Sequence, residues 1–298
     1  MKASFLITCV FFFLLQGQSW AQQTGQDSTG LPGDNFSLEG ALDMFEKAAS
    51  PEEFEKAINT EGNHVNNLDL NGDGDIDYVR VVDMMEDNVH VFVLQVPVSE
   101  KESQDIAVIE LEKTGDESAV IQIVGDEDIY GEEVIFEPEG TDEKDGRKGA
   151  GPSVDLYGPD TYVVVNVWYW PCVRFVYAPV YRPWVSPWRW RNYPVWWHPW
   201  RPVRWHVWHP YHRNYHRSYV VVHTHRIVRG PKIYRPVRTT SVTVHTRHAT
   251  SVGHYRVNRS KTTVTGPRGG KTTVKKTTVR GPKGKVKGTR TTVKRRRG

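Results

Sequence analysis

All 35 Asp and Glu residues of this 298-residue chain lie at or before Asp160, and from Thr161 onward there are 30 Lys and Arg and no acid. The cations of the second half cannot be neutralised within that half. They must be solvated, paired with the first half, or paired with an external polyanion. Between Gln22 and Asp160 only 8 basic residues accompany the acids, so the net charge of +4 hides a chain with two opposite ends. Such a division constrains partners more than it constrains fold class.

Within the acidic half the most specific chemistry sits in Leu68 to Val82, LDLNGDGDIDYVRVV. Asp69, Asn71, Asp73, Asp75 and Asp77 alternate with Gly72 and Gly74. A run of this kind can curl round one hard cation, and the glycines allow backbone angles that side chains forbid. The expectation is a calcium site with these five residues as ligands. Against an EF-hand template the position of the bidentate Glu is held by Arg80, and the residues that follow are β-branched or aromatic rather than helical. The loop resembles the DxNxDGxxDY calcium loops that precede strands in FG-GAP and VCBS-type repeats, and the first half-loop of dockerins. A polar turn without metal is the competing reading, although a turn needs one or two such residues and not five.

From the start, Met1 to Ala21 joins Lys2, an apolar run from Phe5 to Leu15 and a small-x-small ending, which predicts a secretory signal peptide with no permanent transmembrane span. Its removal leaves Cys172 as the single cysteine, so no intramolecular disulfide is expected. Residues 22–35 read as a flexible leader. Two short helices follow, one with a Leu38, Leu42, Phe45, Ala49 stripe and one opened by Ser50-Pro51-Glu52-Glu53, a cap, a first-turn proline and a capping-box glutamate. Strands are expected at 76–85, 89–98, 105–113, 119–124 and 134–136, with short connections that make neighbours antiparallel. Several are apolar on both faces, and one face must pack on the helices. The fold class is therefore α+β over residues 36–138, two short helices on an antiparallel meander, followed by a largely disordered tail.

Residues 139–160 read as a linker, and residues 161–177 as an apolar strand or hairpin interrupted by Pro171. Region 178–230 is rich in Trp, Pro, Arg and His. Ten of the eleven tryptophans fall between Trp168 and Trp208, and proline at this density predicts an extended chain, without helix interiors or central strands. Cationic Trp and Arg mixtures suit interfaces that carry phosphate. The histidines, among them His198, His206, His209, His212 and His216, predict at most weak zinc or copper binding. Residues 231–298 repeat Thr-Thr-Val and Gly-Pro motifs loosely, lack large apolar residues, and read as a disordered cationic tail.

In the order of its features, SPEEFEKAIN, LDLNGDGDIDYVRV, HVFVLQVPV, a Trp/Pro/Arg region and a basic Thr-Thr-Val tail, the chain resembles a group of secreted proteins of Bacteroidota. The resemblance implies an extracytoplasmic location, in periplasm, outer envelope or medium, and no activity. No catalytic nucleophile, acid–base pair or cofactor site can be named. The expected function is non-enzymatic: a calcium-supported acidic head with a cationic-aromatic tail that binds a polyanionic envelope surface or anionic membrane interface, or that pairs with its own head. Dedicated nucleic-acid binding is not expected. The alternative is an extracytoplasmic transition-metal handler that uses the histidine-rich tail.

Overall fold

The structure is a computed structural model that describes residues 28–140, 164–215, 217–254, 256–265, 271–280 and 286–296. The expected signal peptide, the start of the leader and most of the linker lie outside the described residues. Helices α1 (Leu38–Lys47) and α2 (Pro51–Ile58) lead into a meander of β1 (Arg80–Glu86), β2 (Val89–Pro97), β3 (Ser103–Gly115), β4 (Ser118–Gly125), the single-turn α3 (Glu127–Tyr130) and β5 (Val134–Pro138). After this head come α4 (Pro171–Val176), α5 (Trp205–Tyr215), β6 (Tyr219–Val222), α6 (Gly230–Tyr234) and α7 (Val242–His254), and then β7 (Arg256–Thr265), β8 (Lys271–Arg280) and β9 (Val286–Arg296).

The helix starts follow from their caps. Ser37 Oγ accepts from Gly40 N at 3.0 Å, Ser50 Oγ from Glu53 N at 3.2 Å, and the Glu53 carboxylate from Ala49 N at 3.0 Å, so orphan amides at both helix starts are satisfied. Strands β1 to β6 form one antiparallel sheet in sequence order. Its register explains why the strands are apolar on both faces. One cross-strand row, Phe92, Ile109, Ile123 and Phe136, faces α1 and α2. The opposite row, Val93, Val108, Val124, Ile135 and Val222, lies in a second core with Ile227 and Tyr234. The head helices, joined by tail residues such as Val173 and Val176, supply the first cover, and the tail supplies the second.

The expectation of two helices with a largely disordered tail is corrected: the described residues contain seven helices, four of them after residue 164. Within the strand or hairpin expected over 161–177, the described residues 164–170 form no strand and Pro171–Val176 is helix α4, with Pro171 at a first helical position and Cys172, Val173 and Val176 buried in the helix-side core. Proline does enter a helix, at Pro210 of α5. The expected leader also ends early, because Leu31 is buried and a 3-10 turn at Pro32–Asn35 packs on the domain. The physical reason is common to all of these. A segment judged on its own composition cannot fold alone, but the head offers it apolar surface and unpaired carboxylates.

The tail also closes the edges of the meander. Residues 184–186 lie along β1, with Asp83 N donating to Trp184 O at 2.7 Å and Ser186 N to Val81 O at 3.0 Å. On the other side β6 pairs with β5 from Ile135↔Val222 to Pro138↔Tyr219. Exposed strand edges invite pairing with other chains, and this arrangement removes both from the head. Among the described residues no helix is long and apolar enough to cross a membrane.

Candidate cation loop and the carboxylate sockets

The structure brings Asp69, Asn71, Asp73, Asp75 and Asp77 onto one loop between α2 and β1, with Gly72 and Gly74 at φ 73° and 89°. Only glycine takes such angles freely, which is why the two glycines recur there. The loop oxygens face the loop's own amides. Asp69 accepts from Gly72 N at 2.6 Å and Gly74 N at 3.0 Å, Asn71 Oδ1 from Asp73 N at 2.8 Å, and Asp73 Oδ1 from Asp75 N at 3.0 Å. Asp77 is buried, and its carboxylate accepts from Leu70 N at 2.6 Å and Asn71 Nδ2 at 3.0 Å. Burial, reinforced by the charges of Asp69 and Asp73, raises its pKa from 3.8 to about 7.

Positive charge reaches this loop from the tail. Arg201 Nε lies 3.6 Å from Asp75 Oδ1, and a methyl group on Gly72 would overlap the Arg247 guanidinium. Chain residues 200–203 are stitched to the loop's flanks, with Ile76 N donating to Trp200 O at 2.8 Å, Val203 N to Asn67 Oδ1 at 2.7 Å, and Asn67 Nδ2 to Val203 O at 2.9 Å. Among the described residues no group of three or more His, Cys, Asp and Glu side chains converges as a metal cage. The loop as folded turns its oxygens onto its own amides, with the Arg201 and Arg247 side chains alongside.

The other buried carboxylates of the head act as sockets for the tail. Glu55 accepts from Tyr78 Oη (2.8 Å), Val81 N (2.8 Å), Ser186 Oγ (2.8 Å) and Trp184 Nε1 (3.1 Å). Asp105 accepts from Thr239 N at 2.7 Å, Gln95 Nε2 at 2.5 Å and Tyr234 Oη at 3.2 Å. Arg238 bridges Asp126 at 2.6 and 2.9 Å and reaches Asp128 at 2.7 Å. Arg226 holds Glu137 with two bonds at 3.0 and 3.1 Å. Burial pushes the Glu55, Asp105 and Asp126 carboxyls up, and these donors offset that cost. Asp126 caps α3 and is held by Arg238.

One grouping has catalytic residue types. His90 Nδ1 lies 2.9 Å from Asp83 Oδ2, and Tyr181 Oη donates to the same oxygen at 2.7 Å. His90 is 0% and Asp83 3% exposed, Tyr181 is half-buried, and the nearby Cys172 thiol is buried with its pKa raised by desolvation. A thiol held protonated away from solvent is a poor nucleophile, and the trio serves to tie the tail at Tyr181 to β1.

The tail histidines, expected to bind zinc or copper at most weakly, are spread over several surroundings. Trp205 and Trp208 pack against His209 and His212, and His225 lies between Glu110 and Glu133, while the head's His64 stacks on Tyr211 at 3.7 Å. His216 lies outside the described residues. Of the ten tryptophans from Trp168 to Trp208, Trp196 alone is exposed. Sequence reasoning missed the sockets Glu55, Asp105 and Glu137, since a carboxylate on a strand or helix reads as a solvated face. It also missed the one strand signal inside the low-complexity region, Tyr219–Val222. No known protein family matches the chain, and no curated protein or solved structure matches it either.

Proposed function

We propose that the protein is a non-enzymatic, extracytoplasmic polyanion binder in which the acidic head anchors the tail and the terminal sheet β7–β9 meets the anionic surface. The observation that carries this reading is the register of that sheet. In the backbone register Arg256 is paired with Arg280, Lys261 with Lys275 and Lys271 with Arg296. Like charges directly opposite one another destabilise a sheet, and the sequence from Thr161 onward contains no acid to relieve them. An external row of phosphates or other anions supplies what the sheet lacks. The preceding tail arginines are differently engaged: Arg226, Arg229, Arg235 and Arg238 all pair with head carboxylates.

The full-length protein should bind vesicles containing anionic lipid and ignore neutral ones, and affinity should drop at least tenfold between roughly 50 and 200 mM salt as counterions are released. A chain ending at His254 should lose the binding. Since most of the tail indoles pack on the head, tryptophan fluorescence should change little and little binding should persist in high salt. Equal binding to neutral vesicles, or full binding without β7–β9, would refute the reading.

Calcium belongs to the same proposal, at Asp69, Asn71, Asp73, Asp75 and Asp77. A divalent ion would relieve the repulsion from Asp69 and Asp73 that adds to the effect of burial on Asp77, and it would compete with Arg201 and Arg247. Without a bidentate Glu the affinity should be on the order of 10⁻⁴ to 10⁻³ M. Roughly 10 mM calcium should then stabilise the protein by about 1–3 kcal/mol at pH above 7, and Asp73→Ala should abolish the difference between calcium and chelator melts. Coinciding melts for the unaltered protein would remove calcium from the account.

A further inference from the structure

A cavity of about 1040 Å³ opens where the tail lies over the second face of the sheet, between β3, β4, α3, α6 and α7. Its size is that of a small-molecule site. Head residues Val108 and Val124 make an apolar wall, and Tyr234 and Val252 of the tail complete it. The polar groups are unevenly satisfied. Arg238 is fixed by Asp126 and Asp128, and Arg235 Nη2 donates to Glu133 Oε1 at 3.2 Å. Glu110, only 1% exposed, lines the cavity, and its Oε2 makes no hydrogen bond. The nearest partner, His225 Nδ1, is 3.7 Å away, an ion-pair distance too long for a hydrogen bond, and that nitrogen is likewise without one. On the far side of the ring His225 Nε2 meets Glu133 Oε2 at 3.4 Å.

We propose that this cavity binds an aliphatic primary amine, with the ammonium on Glu110 and Glu133 beside His225 and the hydrocarbon arm along Val108, Val124 and Val252. Glu110 Oε2 is buried with the His225 ring at ion-pair distance and no hydrogen bond, which is costly, and an entering N–H donor of positive charge supplies the missing bond. An anion is disfavoured, because the two cavity arginines already hold carboxylates and would have to release them. The residues that close the site come from both halves of the chain, so the cavity exists only with the tail in place. Gly230 packs against the Glu110 carboxylate, which a methyl group there would overlap. This inference is independent of the polyanion reading, whose sheet contributes none of the lining.

The test uses the full chain and 1,5-diaminopentane as probe, with glutarate and 1,5-pentanediol as charge-reversed and neutral controls, read by titration calorimetry and thermal melting. The diamine should bind with one-to-one stoichiometry and raise the melting temperature, while the controls do neither. Glu110→Gln should weaken diamine binding at least tenfold while the protein remains folded. Val252→Trp, which fills the cavity and leaves every carboxylate in place, should do the same, and this separates the cavity from general attraction of amines to an acidic surface. Absence of diamine binding, undiminished binding in folded Glu110→Gln or Val252→Trp protein, or preference for glutarate would overturn the proposal.

Discussion

At the scale of single residues, the molecule is governed by carboxylates placed where water cannot reach them. Asp77, with its pKa at about 7, is the clearest case. In the unfolded chain it ionises near pH 4, whereas in the fold it resists ionisation until about pH 7. Its contribution to stability is thus fully present below pH 4 and is lost as pH rises toward 7. Glu55, Asp105, Glu110 and Asp126, all raised by burial, act in the same direction. Denaturant midpoints in chelator should therefore fall between pH 4 and pH 7, and Asp77→Asn should flatten part of that fall. A curve that rises through the window, or one unchanged in Asp77→Asn, would show that burial at Asp77 is not what the structure depicts. The alternating oxygens of the loop were legible in sequence because spacing alone reveals them. Their use of loop amides, and the approach of Arg201 and Arg247 from more than a hundred residues away, were not, since nothing local encodes a long-range partner.

At the scale of elements, the head was legible and its cover was not. Caps at Ser37 and Ser50 and the alternation of the strands are local signals, and the observed bounds fall within a few residues of the expected ones, apart from β1, which begins at Arg80 rather than Ile76. For α4 to α7 and β6 the local signals point elsewhere. Pro210 sits within a helix, and α7 is built from Val, Thr and His, poor helix formers on their own. Tertiary contacts decide these segments. The sequence did carry an indirect sign, in strands apolar on both faces, which require a second cover that the head alone does not contain. Glu55 tests this coupling of elements, because it receives two donors from the head and two from the strap at Trp184 and Ser186. Glu55→Ala should cost about 3 kcal/mol, since four donors lose one buried acceptor. Limited proteolysis should then cut first near residues 184–190. An unchanged stability and cleavage pattern would mean that the strap is held by other contacts. Arg238→Ala should cost about 2 kcal/mol by leaving the Asp126 carboxylate buried and unpaired, measured as a shift in the denaturant midpoint.

At the scale of the whole molecule, the division of charge becomes an architectural device. Acid and base are kept apart along the chain and brought together in space, at Glu137–Arg226, Asp87–Arg229, Glu133–Arg235 and Asp126–Arg238. The partly exposed pairs among these add little individually; those with a buried carboxylate set the register of tail on head. The most direct test of this arrangement is hydrogen exchange of the full-length protein, followed segment by segment. If the tail is folded on the head, amides in Val81–Glu86, Trp184–Ser186, Tyr219–Val222 and Thr239–Val244 exchange slowly and together, and Glu55→Ala releases the 184–186 segment ahead of the sheet. Exchange of residues 164–254 at unprotected rates beside a protected 80–138 sheet would contradict the account, and would return the tail to the disordered cation that its composition suggests.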